Sequence, residues 1–149
     1  FRANVTLVKS FTSYVRTRQE VIGTTVTVFY EDTVKRSMFG QAPYIINGIL
    51  SYTSDTLGLT ATISYNLQGP RLVIGSNNKA TPDIYELQRH LLDFKVSKKI
   101  GKHFSVSFTI KDILNSPINR AYIFDDGEKV LFDQYRWGTN YLLGISYKF

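Results

Sequence analysis

Apolar and polar residues alternate along most of this chain, and the helical period is nearly absent. Six segments carry the alternation: Ala3–Phe11, Tyr44–Tyr52, Leu57–Leu67, Leu91–Ile100, His103–Ile110 and Tyr141–Phe149. In the third, Leu57, Leu59, Ala61, Ile63, Tyr65 and Leu67 share one face, against Gly58, Thr60, Thr62, Ser64 and Asn66. In the fifth, Phe104, Val106, Phe108 and Ile110 oppose Ser105, Ser107, Thr109 and Lys111. In the fourth, Leu92, Phe94 and Val96 oppose Asp93, Lys95 and Ser97. The second is looser, because Ile45 and Ile49 share a face with Asn47 and Ser51. The pattern predicts an all-β, antiparallel fold, with strands of roughly 9–11 residues, the length that crosses a bilayer when tilted.

Alternation alone fits two architectures. A soluble sandwich or barrel turns its apolar face inward, and an outer-membrane barrel turns it to lipid and encloses a wet lumen. Three features favour the second. The connections alternate in length: residues 53–56 and 101–102 are short, whereas 12–43, 68–90 and 111–140 are long. Short periplasmic turns and long extracellular loops are the barrel's signature. Aromatic residues lie near the ends of the apolar faces, at Tyr44, Tyr52, Tyr65, Phe104, Tyr141, Tyr147 and Phe149, where an amphipathic ring suits a membrane interface. The middles of these faces carry no charge; Asp93, Lys95 and Lys111 fall on the polar, lumen-facing side. Lys98, the apolar-face exception, lies close enough to a turn to snorkel.

Parity fixes the orientation: if the closing strand ends in the periplasm, both short turns are periplasmic and all three long loops are extracellular. Thr24–Asp32 also alternates. As a seventh spanning strand it would break the parity, so it is read as part of a β-ribbon extending a long loop.

Composition narrows the function. The 149 residues suit one domain. Hydrophobic residues make up 43% and aromatics 14%, with ten Tyr and ten Phe, a bias toward strands. Cysteine is absent and only His90 and His103 are present, so neither a disulfide framework nor a thiolate or histidine-rich metal site is expected. The formal charge of +6 is spread along the chain, with Lys98-Lys99 the longest basic run of lysine, so a nucleic-acid partner is not expected. No apolar run is long enough for a transmembrane helix, and residues 1–10 do not read as a signal peptide. The chain begins without Met, which fits a mature protein or part of one.

No catalytic motif is present, so the chain is not expected to be an enzyme or to carry a cofactor. The acidic stretch Asp125, Asp126, Glu128, Asp133 lacks calcium-loop spacing and reads as a solvated loop with a turn at Asp126-Gly127. Tyr135, Arg136 and the single tryptophan, Trp137, form an aromatic-plus-arginine cluster that is a candidate for ligand contact.

The stretches GQAPYIINGILSY (40–52), DIYELQRHLLDFKVSKKIGKHFSVSFTIKDILN (83–115) and YRWGTNYLLGISYKF (135–149) resemble the C-terminal barrel strands of TonB-dependent outer-membrane receptors. The likeness runs from Gly40 onward as a succession of short patterns; residues 1–39 match only in general character. It implies a barrel of about 22 strands with a plugged lumen, of which residues 1–149 are a C-terminal segment of about six strands without the plug domain. It implies import of a scarce ligand (a metal chelate, vitamin or glycan) across the outer membrane of a Gram-negative cell. The implied partners are the lipid bilayer, the remaining strands and plug of the same receptor, a periplasmic energy-coupling protein reached through the missing N-terminal part, and the barrel-assembly machinery. For the last of these the alternating Tyr141, Leu143, Ile145, Tyr147 and final Phe149 resemble the recognition signal. Six strands alone would leave two unpaired edges in lipid, and the smallest such barrels have about eight. Two alternatives remain: a small complete outer-membrane barrel with a structural or adhesion role, which requires 14–21 and 24–32 to span, and a soluble lipid-binding β-barrel.

Overall fold

The computed structural model describes residues 1–22, 26–78, 81–124 and 126–149. The described residues form β-strands and no helix. In chain order the strands are β1 (Arg2–Leu7), β2 (Phe11–Ile22), β3 (Val26–Ser37), β4 (Tyr44–Ser54), β5 (Leu59–Gln68) and β6 (Arg71–Ile74). They continue with β7 (Ile84–Glu86), β8 (Arg89–Ile100), β9 (Phe104–Lys111), β10 (Ile118–Ile123), β11 (Lys129–Tyr135) and β12 (Asn140–Tyr147).

The predicted spanning segments join in one six-stranded antiparallel sheet, ordered β1-β4-β5-β8-β9-β12. The register keeps the two faces separate across the whole sheet. One row runs Leu50, Ile63, Phe94, Ile110, Tyr141, and its neighbour runs Tyr52, Ala61, Val96, Phe108, Leu143. On the other face Asn4, Asn47 and Asn66 stand opposite one another, as do Ser97, Ser107 and Gly144. A one-residue slip at any pairing would mix the faces, so the alternation fixes the register.

The sheet is staggered. β1 pairs with the loop half of β4, and following those rows leads to Asp93 and beyond on β8. β12 pairs with β9 in rows that lead to Phe94–Ile100. The two edge strands therefore share no row. Such a shear is what tilted strands in a curved wall require. Among the described residues β1 and β12 remain open edges and the sheet does not close.

Among the described residues nothing covers the apolar face at β12: Leu143 and Ile145 are each 71% exposed and Tyr141 68%. The polar face holds a groove of about 580 Å³ lined by Arg2, Asn4, Asn47, Ser64, Asn66 and Asp93. The polar side is thus indented across β1, β4, β5 and β8.

The short connections lie at one end. Gly58 closes the first by donating its N–H to Asp55 O at 3.1 Å. In the second, Gly101 takes φ +65°, a conformation that costs other residues a Cβ clash. Each long connection carries a β-hairpin. The β2–β3 ribbon is a separate two-stranded sheet, and β6, β7, β10 and β11 form a four-stranded sheet ordered β11-β10-β7-β6. The ribbon docks through parallel bridges Thr17–Asn78 and Phe39–Leu72, with Gly40 N–H bonded to Leu72 O at 2.8 Å. The buried apolar side chains, Ala42, Leu72, Ile84, Ile118 and Ala121, all belong to this cap. Among the described residues the core thus sits in the cap, and the six-stranded sheet holds none of these fully buried apolar side chains.

Two details differ from the alternation, and the expected ribbon is found. β1 stops at Leu7, and Phe11 opens β2 instead of closing the first segment. The break comes where Val8 N–H bonds Pro43 O and the Ser10 hydroxyl bonds the Gln41 side chain, which turns the chain out of the sheet. The ribbon expected around Thr24–Asp32 is present as β3; Thr24 and Thr25 lie outside the described residues. Because β2 and β3 pair with each other and not with the six-stranded sheet, the eight spanning strands of a small complete barrel are not assembled. The short cap strands β6, β7, β10 and β11 were not foreseen, since they run three to seven residues.

Candidate functional site

A cavity of about 730 Å³ lies where the three long connections meet. Tyr14, Arg16, Arg36, Ser76, Asp83 and Tyr85 line it. The ribbon supplies one face: Tyr14 and Arg16 alternate on β2, and Arg36 stands opposite Thr12 on β3, so all three point the same way. The Arg36 guanidinium lies 3.9 Å from the Tyr14 ring centroid and 4.8 Å from that of Phe39. It donates to Ser76 O at 3.2 Å and meets Asp83 Oδ1 at 3.5 Å. Asp83 Oδ1 also accepts the Ser76 N–H at 2.7 Å. With both side chains largely buried, this pair and its aromatic flanks clamp the ribbon to the β6–β7 connection. The clamp needs glycine at position 75, where a Cβ would come within 2.3 Å of the Arg36 guanidinium.

Tyr85 remains a neutral phenol here. Burial raises its pKa above 10.0 and neighbouring Asp83 adds to the rise, against a hydrogen bond from Ser37 and the positive charge of Arg36. The cavity therefore presents a protonated hydroxyl beside the fixed Arg36–Asp83 pair. Arg16 joins no ion pair among the described residues.

The three residues read as lumen-facing all fall on the polar face. Lys95 stands between Thr62 and Thr109, Asp93 opposite Ser64, and Lys111 opposite Asn140. Asp93 is tied down, accepting the Asp112 N–H at 2.8 Å. Lys95 and Lys111 are exposed. The aromatic-plus-arginine cluster is not assembled as one site. The Tyr135 hydroxyl accepts from Arg120 at 3.1 Å, and Arg120 also meets Asp133 at 3.3 Å. Trp137 is 74% exposed, and Arg136 is exposed beside it. Tyr135 thus has a partner within its own hairpin, and Trp137 stands free at the wall's edge.

The acidic stretch is a hairpin turn. Asp126 Oδ1 accepts the Glu128 N–H at 2.9 Å, and Gly127 takes φ +88°. Asp125 lies outside the described residues. Among the described residues no group of three His, Asp or Glu side chains is placed to hold a metal ion.

Sequence reasoning missed Arg36, Asp83 and Tyr85. Arg36 lies dozens of positions from Asp83 and Tyr85 and meets them only through the docking of one loop on another; an aspartate just after Pro82, ahead of a short apolar run, was the one available sign. Comparison with protein-family models, with curated proteins and with solved structures finds no match to this chain.

Proposed function

We propose that the chain is a section of the barrel wall of a TonB-dependent outer-membrane receptor that imports a scarce ligand. The observation that carries this reading is the six-stranded sheared sheet, with an apolar face uncovered at β12, an indented polar face and every long connection folded into a cap at one end. A tilted strand of about 11 residues rises close to 25–30 Å, the height of an outer-membrane apolar band. On this reading the sheet's apolar face meets lipid and its two open edges pair with the remaining strands. Asp93, Lys95 and Lys111 face the lumen and plug. The cap cavity receives the ligand from outside, with Tyr135, Arg136 and Trp137 as outer contacts. Energy arrives from the periplasmic coupling protein through the plug, and Tyr141, Leu143, Ile145, Tyr147 and Phe149 serve as the barrel-assembly signal.

The two alternatives are less well supported. The ribbon stands apart from the wall, against a complete eight-stranded barrel. The groove opens on the polar side, against a soluble barrel with its apolar face inward.

The test is fractionation of the full-length protein. Outer-membrane retention, heat-modifiable migration on unboiled gels and ligand-limited growth that depends on the protein are expected. A monomer that stays in solution without detergent would overturn the reading.

A further inference from the structure

Charge is segregated between the two ends of the wall. Residues 51–62, 95–106 and 145–149 make up the short-turn end. They hold Lys95, Lys98, Lys99, Lys102 and Lys148, and one carboxylate side chain, Asp55. The described ion pairs are all made by arginines, and none involves these lysines. At the cap end carboxylates are more numerous, and Arg36, Arg71, Arg89 and Arg120 are each matched to one, although Arg16 is not among the described residues.

Lys98 is the informative member. It lies on the apolar face, in a row with Leu59, Val106 and Ile145. The next row toward the turn is Ile100, Phe104 and Tyr147. There Phe104 and Tyr147 lie with ring centroids 4.8 Å apart, and Phe149 meets Tyr147 edge-on at 5.0 Å. This aromatic cluster marks an interface level. A lysine stem one row inside it carries its ammonium out to that level, where Lys102 in the turn is also exposed. An ammonium at that level with no carboxylate paired to it among the described residues is free to take a headgroup phosphate as its counter-ion.

We infer that the short-turn end of the wall is a binding site for anionic phospholipid, with Lys98 and Lys102 holding the headgroup phosphate above the Phe104–Tyr147–Phe149 cluster. The inference rests on the membrane reading above. The site selects net-negative headgroups because the excess of lysines, including Lys99 and Lys148 on the opposite face, gives this end a positive potential beyond what one phosphate neutralises.

The experiment uses the full-length protein in nanodiscs of phosphatidylcholine in which phosphatidylglycerol is the minor component, and measures the lipids retained on the protein by native mass spectrometry. Enrichment of phosphatidylglycerol by about fivefold per lysine charge at the headgroup is expected, reduced by high salt and largely lost in the Lys98→Gln/Lys102→Gln double variant. Lys95→Gln, on the polar face, lowers it far less than the double variant, through the shared potential alone. Insertion without enrichment, or enrichment that survives the double variant, overturns the lipid site while leaving the membrane reading intact. Enrichment lost equally in Lys95→Gln overturns it too, since the lysines would then act only as a diffuse charge or on an acidic protein partner. Failure to enter nanodiscs of any composition overturns the membrane reading itself.

Discussion

Arg89 and Asp112 meet at 2.9 Å, joining the first residue of β8 to the residue where the chain leaves β9. Asp112 adopts φ +53° and is buried. Its carboxylate also accepts the Ser116 N–H at 3.0 Å, its carbonyl accepts the Thr139 hydroxyl at 2.9 Å, and its own N–H goes to Asp93. Four segments converge on one side chain and its backbone. Replacing it with alanine strands a largely buried guanidinium and leaves the strained backbone without its compensation. Asp112→Ala is expected to cost about 3 kcal/mol, read as a lowered urea midpoint in detergent. Asp112→Asn keeps an acceptor for one of Ser116 and Arg89 and turns an amide N–H toward the other, so it recovers part of the loss.

Leu72 is fully buried, and its backbone carbonyl receives the Gly40 N–H from the ribbon. It is therefore the point where the ribbon and the four-stranded sheet share a core. Leu72→Ala is expected to destabilise the cap by about 2–5 kcal/mol. Hydrogen exchange should quicken across β6, β7, β10 and β11 while β5 and β8 stay protected. Equal loss of protection in the wall would mean that cap and wall unfold as one unit.

The legible and illegible parts of this fold divide along sequence distance. The wall could be read because each of its strands states its two faces within about ten residues, and because Gly101-Lys102 leaves no room for anything but a hairpin. The faces of Asp93, Lys95 and Lys111 followed from the same parity. The cap could not be read, because β6 and β7 are too short to show a period and earn their place by contacts such as Leu72 with Phe39, 33 positions apart by number. The Arg36–Asp83 clamp is hidden for the same reason. Tyr135 was singled out as a ligand contact from composition, and only the register of β10 against β11 shows that Arg120 is beside it.

Thr62 and Ile63 are neighbours in β5 whose side chains fall on opposite faces: Thr62 opposite Lys95, Ile63 opposite Phe94. They give a matched test of which face meets lipid. Ile63→Lys is expected to cost about 2–4 kcal/mol of folding into lipid, the charge of a mid-wall lysine. Thr62→Lys, beside the exposed Lys95, is expected to cost well under that through like-charge contact alone. Folding yield into vesicles, scored by heat-modifiable migration, reads both. The opposite ranking would place the apolar face inside.

Tyr85 gives the cap a pH dependence whose direction follows from its environment. Burial favours the neutral phenol in the folded protein, so its folded pKa lies above the unfolded value of 10.0. The stabilisation from that neutral form is complete below about pH 10. It declines as pH rises further, because the unfolded chain then releases a proton that the folded one retains. Tyr85→Phe cannot ionise at this position, so its stability should fall less steeply between about pH 9 and 11. The measurement is the urea midpoint of each protein across that range, and the informative quantity is the difference between the two curves. Parallel curves would mean that Tyr85 is as well solvated in the folded cap as in the unfolded chain, and the cavity beside Arg36 would then be open to water on that side.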